Sequence, residues 1–146
     1  MLTRAADYAV RVMIHLATLP SGTRVRLAAL AEAAEVPATF MSKVLQSLVR
    51  ARLIASCPGV NGGFELMASP SQVSILDIVE AIDGPLQLNL CVTTPPGCER
   101  EPWCAAHLVW AKAQQAMMKI LRSATIGKLA QASLARRRAS KTTTAK

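Results

Sequence analysis

LAALAEAAEVPATFMSKVLQSLVRARLIASCPGVNGGFELM, residues 27–67, is the stretch whose reading decides the fold. Leu27 to Ala34 is Ala-rich and reads as a short helix, Glu35-Val36 interrupts it, and a second helix opens at Pro37. Phe40, Met41, Val44, Leu45, Leu48 and Val49 fall on one side of that second helix. Thr39, Ser42, Lys43, Gln46 and Arg50 fall on the other, and none of these outer residues is acidic. Two short helices joined by a tight turn, the second with a hydrogen-bonding and cationic outer face, describe a helix-turn-helix. Leu53 to Cys57 and Phe64 to Met67 then read as strands, with Asn61-Gly62 as the residues of a two-residue hairpin turn. A hairpin directly after such a helix is a wing.

Working outward, Thr3 caps a first helix whose inner face is read as Ala6, Val10, Met13, Ile14 and Ala17, stopped by Pro20-Ser21-Gly22. Ser74 and Asp77 form a cap-like pair before Ile75, Ile78, Val79 and Ile82, with Gly84-Pro85 as the stop. From about Trp103 to Leu121 runs the longest helix, with Val109, Ala113, Ala116 and Ile120 at four-three-four spacing, a stripe suited to a partner helix. The expected fold class is therefore mainly α with a small β-hairpin wing. Residues 1–84 form a winged helix-turn-helix domain and residues 85–104 a cysteine-rich loop. Residues 103–130 form a dimerisation helix with a short terminal helix, and residues 131–146 a basic disordered tail.

A single amphipathic helix shows water a polar face for no functional reason. The succession helix, helix, helix and hairpin is what points to double-stranded DNA. Thr39, Ser42 and Gln46 would meet base edges, Arg4, Arg11, Arg24 and Lys43 would meet phosphates, and Arg50, Asn61, Gly62 and Gly63 complete the expected surface. A homodimer would place two such heads about one helical turn apart on a palindromic operator. The net charge of +8 alone proves little about nucleic acid, because residues 111–146 carry nine Lys/Arg and no acid, much of it in the tail at Arg136, Arg137, Arg138, Lys141 and Lys146. Tyr8 to Leu19 is apolar, but Arg11 and His15 interrupt it, so no signal peptide or membrane span is expected and the location read is cytoplasmic. No Gly-rich phosphate loop or Ser-His-Asp arrangement argues for an enzyme.

Cys91, Cys98, Cys104 and His107 place four metal-type donors within seventeen residues, on a loop broken by Pro95, Pro96 and Pro102. A disulfide has no use for an imidazole, whereas a Cys3His set is the inventory of a tetrahedral zinc site or an iron-sulfur cluster. Cys104 and His107 stand three apart after Pro102, a residue suited to a helix's first turn, and so are expected on one face of it. Cys57, distant in sequence, reads as a small apolar residue. A structural zinc in a DNA-binding protein, or an iron-sulfur redox protein, would draw on the same residues.

These motifs resemble the winged-helix iron-sulfur regulators of the BadM, IscR, NsrR and RirA type, the Rrf family. The resemblance spans residues 1 to about 130. It rests on Leu2-Thr3 through Asp7-Tyr8-Ala9-Val10-Arg11, on Phe40 to Gln46, on Ser56, Gly59 and Gly62-Gly63-Phe64, on Ile75 to Gly84, on the three cysteines and on Thr125 to Leu129. It implies a homodimeric transcription factor, usually a repressor, whose cluster senses iron, redox or nitric oxide status. By that resemblance Cys91, Cys98 and Cys104 are cluster ligands. His107 is the favoured fourth ligand, of a 2Fe-2S cluster; the alternative is Asp7 of the opposite subunit, completing a 4Fe-4S cluster. Asp7 also reads as a first-turn carboxylate paired with Arg11. Two features depart from the family: six residues separate Cys91 from Cys98 where IscR-like members have five, and Pro58 stands where an arginine is usual. The family's cluster type and operator sequences are therefore not carried over.

Overall fold

The computed structural model describes residues 2–93, 95 and 97–144; Pro96 and Lys146 lie outside them. Helices α1 (Arg4–Ala17), α2 (Leu27–Ala34) and α3 (Ala38–Arg50) are followed by strands β1 (Ile54–Cys57) and β2 (Gly63–Leu66), then by α4 (Ile75–Asp83), α5 (Ala105–Ser123) and α6 (Ile126–Thr144). Two 3-10 turns, Leu90–Val92 and Glu101–Trp103, occupy the loop between α4 and α5. This is the mainly helical winged arrangement expected. Among the described residues no helix is long and apolar enough to cross a membrane.

Local chemistry sets the helix ends. Thr3 Oγ1 accepts a hydrogen bond from the Ala6 amide at 3.2 Å, and Thr3 donates through its own amide and hydroxyl to the Asp83 carboxylate at 3.0 and 2.6 Å. One cap thus starts α1 and ties it to the end of α4. Ser74 and Asp77 close a reciprocal capping box on α4. Glu35, at φ 57°, takes the left-handed conformation that ends α2 and lets the Val36 amide reach the Ala31 carbonyl at 2.9 Å. That turn sets α3 against α2.

The main core gathers Met13, Leu30, Met41, Leu45, Leu48, Ile54, Ile78 and Ile126, all essentially buried. A second cluster joins Ala6, Leu76, Val79 and Leu86 to Met117, Met118 and Leu121, and so fastens α5 to α4 and α1. Leu45 sits at the centre of α3 with no exposed surface. Leu45→Ala is expected to cost about 3 kcal/mol through lost transfer and a residual cavity, seen as a lower urea midpoint at unchanged slope. A midpoint that did not move would mean that this face of α3 is not held by core packing.

The structure corrects four local expectations. In α1 the fully buried residues are Ala6, Ala9, Val12, Met13 and Leu16, whereas Val10, Ile14 and Ala17 are only partly covered. The helix packs against α3, α4 and α6, so its apolar stripe is wider than one seam and its centre is rotated. The hairpin has no two-residue turn: Cys57 pairs with Gly63, leaving a loop of residues 58–62, and φ is positive at Gly59 (103°) and Gly63 (148°) rather than at Asn61-Gly62. Pro58-Gly59 makes the bend earlier, and the Gly62 amide bonds back to the Gly59 carbonyl at 3.0 Å. Pro102 belongs to the second 3-10 turn, and Cys104, not Pro102, precedes the first residue of α5. Lastly, the segment from residue 131, read as disordered from its composition, continues α6 to Thr144. Its alanines, arginines and Leu134 are good helix formers, and α6 is anchored upstream by the buried Ile126 and Ala130.

Candidate nucleic-acid interface and cysteine loop

The α3 surface follows its periodicity except at Phe40, which was expected on the inner face and is exposed. Met41, Val44, Leu45 and Leu48 are buried, and Thr39, Lys43, Gln46 and Arg50 stand exposed on the opposite face, with Ser42 half-buried beside them. Phe40 is more exposed than a core residue and packs edge-on to the Tyr8 ring at 5.6 Å, joining α3 to α1. Ser42, Gln46, Val49 and Arg50 face Ser56 and Phe64 of the wing across a shallow groove. Recognition helix and hairpin therefore form one continuous surface, and the α3 part of it carries no acid.

The wing rests on a third short segment. Val25 exchanges both backbone hydrogen bonds with Phe64, at 2.9 and 2.8 Å, so residues 24–26 run alongside β2. Gly63 is required there, because a Cβ would stand 2.7 Å from the Val25 carbonyl oxygen. A side chain at Gly62 would run into the Cys57 carbonyl. Asn61 lies exposed at the tip. Arg24 pairs with Glu65 at 3.1 Å, a hydrogen bond that raises its already high pKa. Arg26 reaches the Val60 carbonyl at 2.7 Å, a contact that nothing in the sequence signalled.

Of the cations expected on phosphates, Lys43 and Arg4 are exposed. Arg11 is already engaged, bonded to Asp7 at 2.8 Å and lying 5.7 Å from the Tyr8 ring centroid. The i,i+4 pairing of Asp7 is thus realised, on an exposed surface.

The cysteine loop is held from α5. Gln114 accepts from the Leu88 amide at 3.0 Å and donates to the Val92 carbonyl at 3.3 Å, clamping the turn that carries Cys91. Sequence reasoning had no signal for Gln114, since its role depends on the loop folding back onto α5. Cys91 is buried, Cys98 and Cys104 are half-buried, and all three are free thiols, as is Cys57 in the wing. His107 donates its backbone amide to the Cys104 carbonyl at 3.0 Å, so these two do share the first turn of α5. The His107 Nε2 faces a Glu101 carboxylate oxygen at 3.4 Å, while its Nδ1 is buried with no hydrogen-bond partner. Among the described residues, no three His, Cys, Asp or Glu side chains are gathered closely enough to hold a metal ion.

The donor set nevertheless fits a cluster. An orphaned buried imidazole nitrogen needs a partner, and the Glu101 carboxylate lies on the Nε2 side of the ring, away from Nδ1. Cys91, Cys98 and Cys104, on or beside one loop, are the soft ligand type that iron-sulfur chemistry requires. Ligand sets are often assembled only on binding.

A helix-turn-helix followed by a wing, with Lys43, Arg50 and no acid on the outer face of α3, defines a winged-helix protein of the DNA-binding kind. The chain belongs to the Rrf2 family of iron-dependent transcriptional regulators, whose model matches residues 2–132. It is 34% identical over 129 residues to a candidate HTH-type transcriptional regulator of Mycobacterium tuberculosis, Rv1287, covering 88% of this chain and 80% of that one. Among solved structures it is similar to CymR, the global cysteine regulator of B. subtilis, with a TM-score of 0.71 at 22% identity, over 90% of this chain and 96% of that one. It is likewise similar to IscR of T. potens, with a TM-score of 0.72 at 22% identity, over 90% and 88%. The two structural likenesses speak to the fold; the family match makes the protein a DNA-binding transcriptional regulator.

Proposed function

We propose that this protein is a cytoplasmic homodimeric repressor that binds a palindromic operator under the control of an iron-sulfur cluster held by Cys91, Cys98, Cys104 and His107. The observation that carries the reading is that one helix, α5, bears both the loop clamp Gln114 and the orphaned imidazole of His107, while its opposite stripe lies bare. The three thiolates and the His107 Nδ1 would hold the group, and Glu101 would orient the imidazole. When bound, the group would supply an inorganic centre responsive to redox and nitric oxide. Thr39, Ser42 and Gln46 address base edges, and Arg4, Lys43 and Arg50 address phosphates. Loosening the loop would release Gln114 and shift α5, changing the separation of the two DNA heads.

The test has two parts: selection of duplexes from a random pool by the purified protein, and an anaerobic ultraviolet-visible spectrum of the same sample. Recovery of a palindrome together with visible absorbance supports the reading; a colourless sample with stoichiometric zinc overturns its iron-sulfur part. The fourth ligand is decided by two variants. His107→Ala is expected to change the spectrum and to shift the reduction potential, which an imidazole ligand raises. Asp7→Ala should leave both unchanged, because its carboxylate is already bonded to Arg11 in the same chain. Loss of the cluster in Asp7→Ala with a wild-type-like His107→Ala would instead assign the site to a subunit-bridging 4Fe-4S cluster.

A further inference from the structure

We infer that Arg26 is the residue through which the wing reads DNA, and that it does so as a cation presented at the wing tip from outside the hairpin. The inference rests on the DNA-binding reading above and adds a specificity-determining residue to it. The wing loop, Pro58-Gly59-Val60-Asn61-Gly62, contains no charged residue. Arg26, the residue that precedes α2, crosses to this loop and donates from its guanidinium to the Val60 carbonyl at 2.7 Å. Val60 is 85% exposed, so the contact lies on the exposed loop of the wing.

Three further features make Arg26 a reader as well as a prop. The backbone pairing of Val25 with Phe64 fixes residues 24–26 in extended form beside β2, which sets Arg24 and Arg26 on the same side of the segment. The two arginines then have different fates. Arg24 is neutralised by Glu65, whereas Arg26 makes no ion pair among the described residues. The Val60 carbonyl also uses only part of a guanidinium that carries five N–H donors in a planar fork. A charged, pre-positioned fork at the tip of a wing flanking a recognition helix is suited to a narrow minor groove, where negative potential is greatest over A·T-rich steps.

The probes are duplexes selected from a random pool by the wild-type protein, with binding followed by fluorescence anisotropy over a range of KCl concentrations. A second set of duplexes carries inosine in place of guanine beneath the wing, which removes the minor-groove amino group and leaves the major groove intact. For wild type, inosine should tighten binding, and the effect should disappear in Arg26→Gln and Arg26→Ala. Each of these variants should bind about tenfold more weakly, with the magnitude of the salt slope reduced by about 0.9 for each wing. Arg26→Lys should keep the slope and lose most of the inosine effect, since an ammonium keeps the charge without the fork. Arg26→Gln and Arg26→Lys also guard against a folding artefact, because both keep a donor for the Val60 carbonyl. If the variants keep the wild-type slope and inosine effect, whatever their affinity, Arg26 is only a prop and the inference is overturned. If the wild-type protein selects no duplex above random DNA, the DNA-binding reading itself fails.

Discussion

Anaerobically purified protein is expected to be coloured, and Cys91→Ala, Cys98→Ala or Cys104→Ala alone is expected to bleach it, whereas Cys57→Ala retains full visible absorbance. The contrast follows from position. Cys57 pairs with Gly63 in the wing hairpin, whereas the other three cysteines lie on or beside the loop that Gln114 clamps to α5. Loss of one thiolate from a cluster with three thiolate ligands leaves too few soft donors to retain iron and sulfide, so the expected effect is near-complete loss rather than a graded one. Cys91 gives the sharpest case: it is 7% exposed, held in the 3-10 turn directly before the Gln114 contact to Val92. Iron and sulfide analysis alongside the spectrum checks the result. Equal retention of iron in all four variants would remove the cysteine loop from the site.

The second large effect is expected on α5. Val109 and Ile120 are 65% and 66% exposed, and with Ala113 and Ala116 they form one apolar stripe along the helix. Met117, Met118 and Leu121 occupy the face already packed on α4, so the stripe is surplus to the needs of a single chain. Placed against its own symmetry mate, Ile120→Glu would bring two carboxylates into an apolar seam without partners, a cost of several kcal/mol per dimer. Sedimentation should show a monomer, and operator affinity should fall at least about a hundredfold, as expected when two half-sites are no longer bound together. A variant that sediments as a dimer and binds as wild type would place the dimer interface elsewhere.

Much of this could be read in the chain. The caps Thr3 and Ser74, the apolar periodicity of α3 and the two strand-like runs either side of residues 58–62 are local signals, set by residues close together in the chain. The ligand types in residues 91–107 were equally plain, because donor chemistry is a property of the side chains themselves. The turn type was not. Asn61-Gly62 carries a strong two-residue signal, yet the bend is made at Pro58-Gly59, with Val25 paired to Phe64 and glycine required at 62 and 63 by nearby carbonyls. Nor could composition foresee α6, whose polar end is helical as the continuation of a helix seated by Ile126 and Ala130.

The sequence by itself therefore determined the winged helix-turn-helix, the face of α3 turned outward and the presence of metal-type donors, since each depends on residues a few positions apart. Only the tertiary structure decided that Arg24 is partnered, that Arg26 props the wing tip, that Gln114 clamps the cysteine loop, and that the His107 Nδ1 is left buried and unbonded. The physical reason is separation along the chain. Arg26 and Val60 lie 34 positions apart and Leu88 and Gln114 lie 26 apart, and contacts of that span carry no periodic or local signature. They form only where packing of the core brings the elements together, after local preferences have fixed what those elements are.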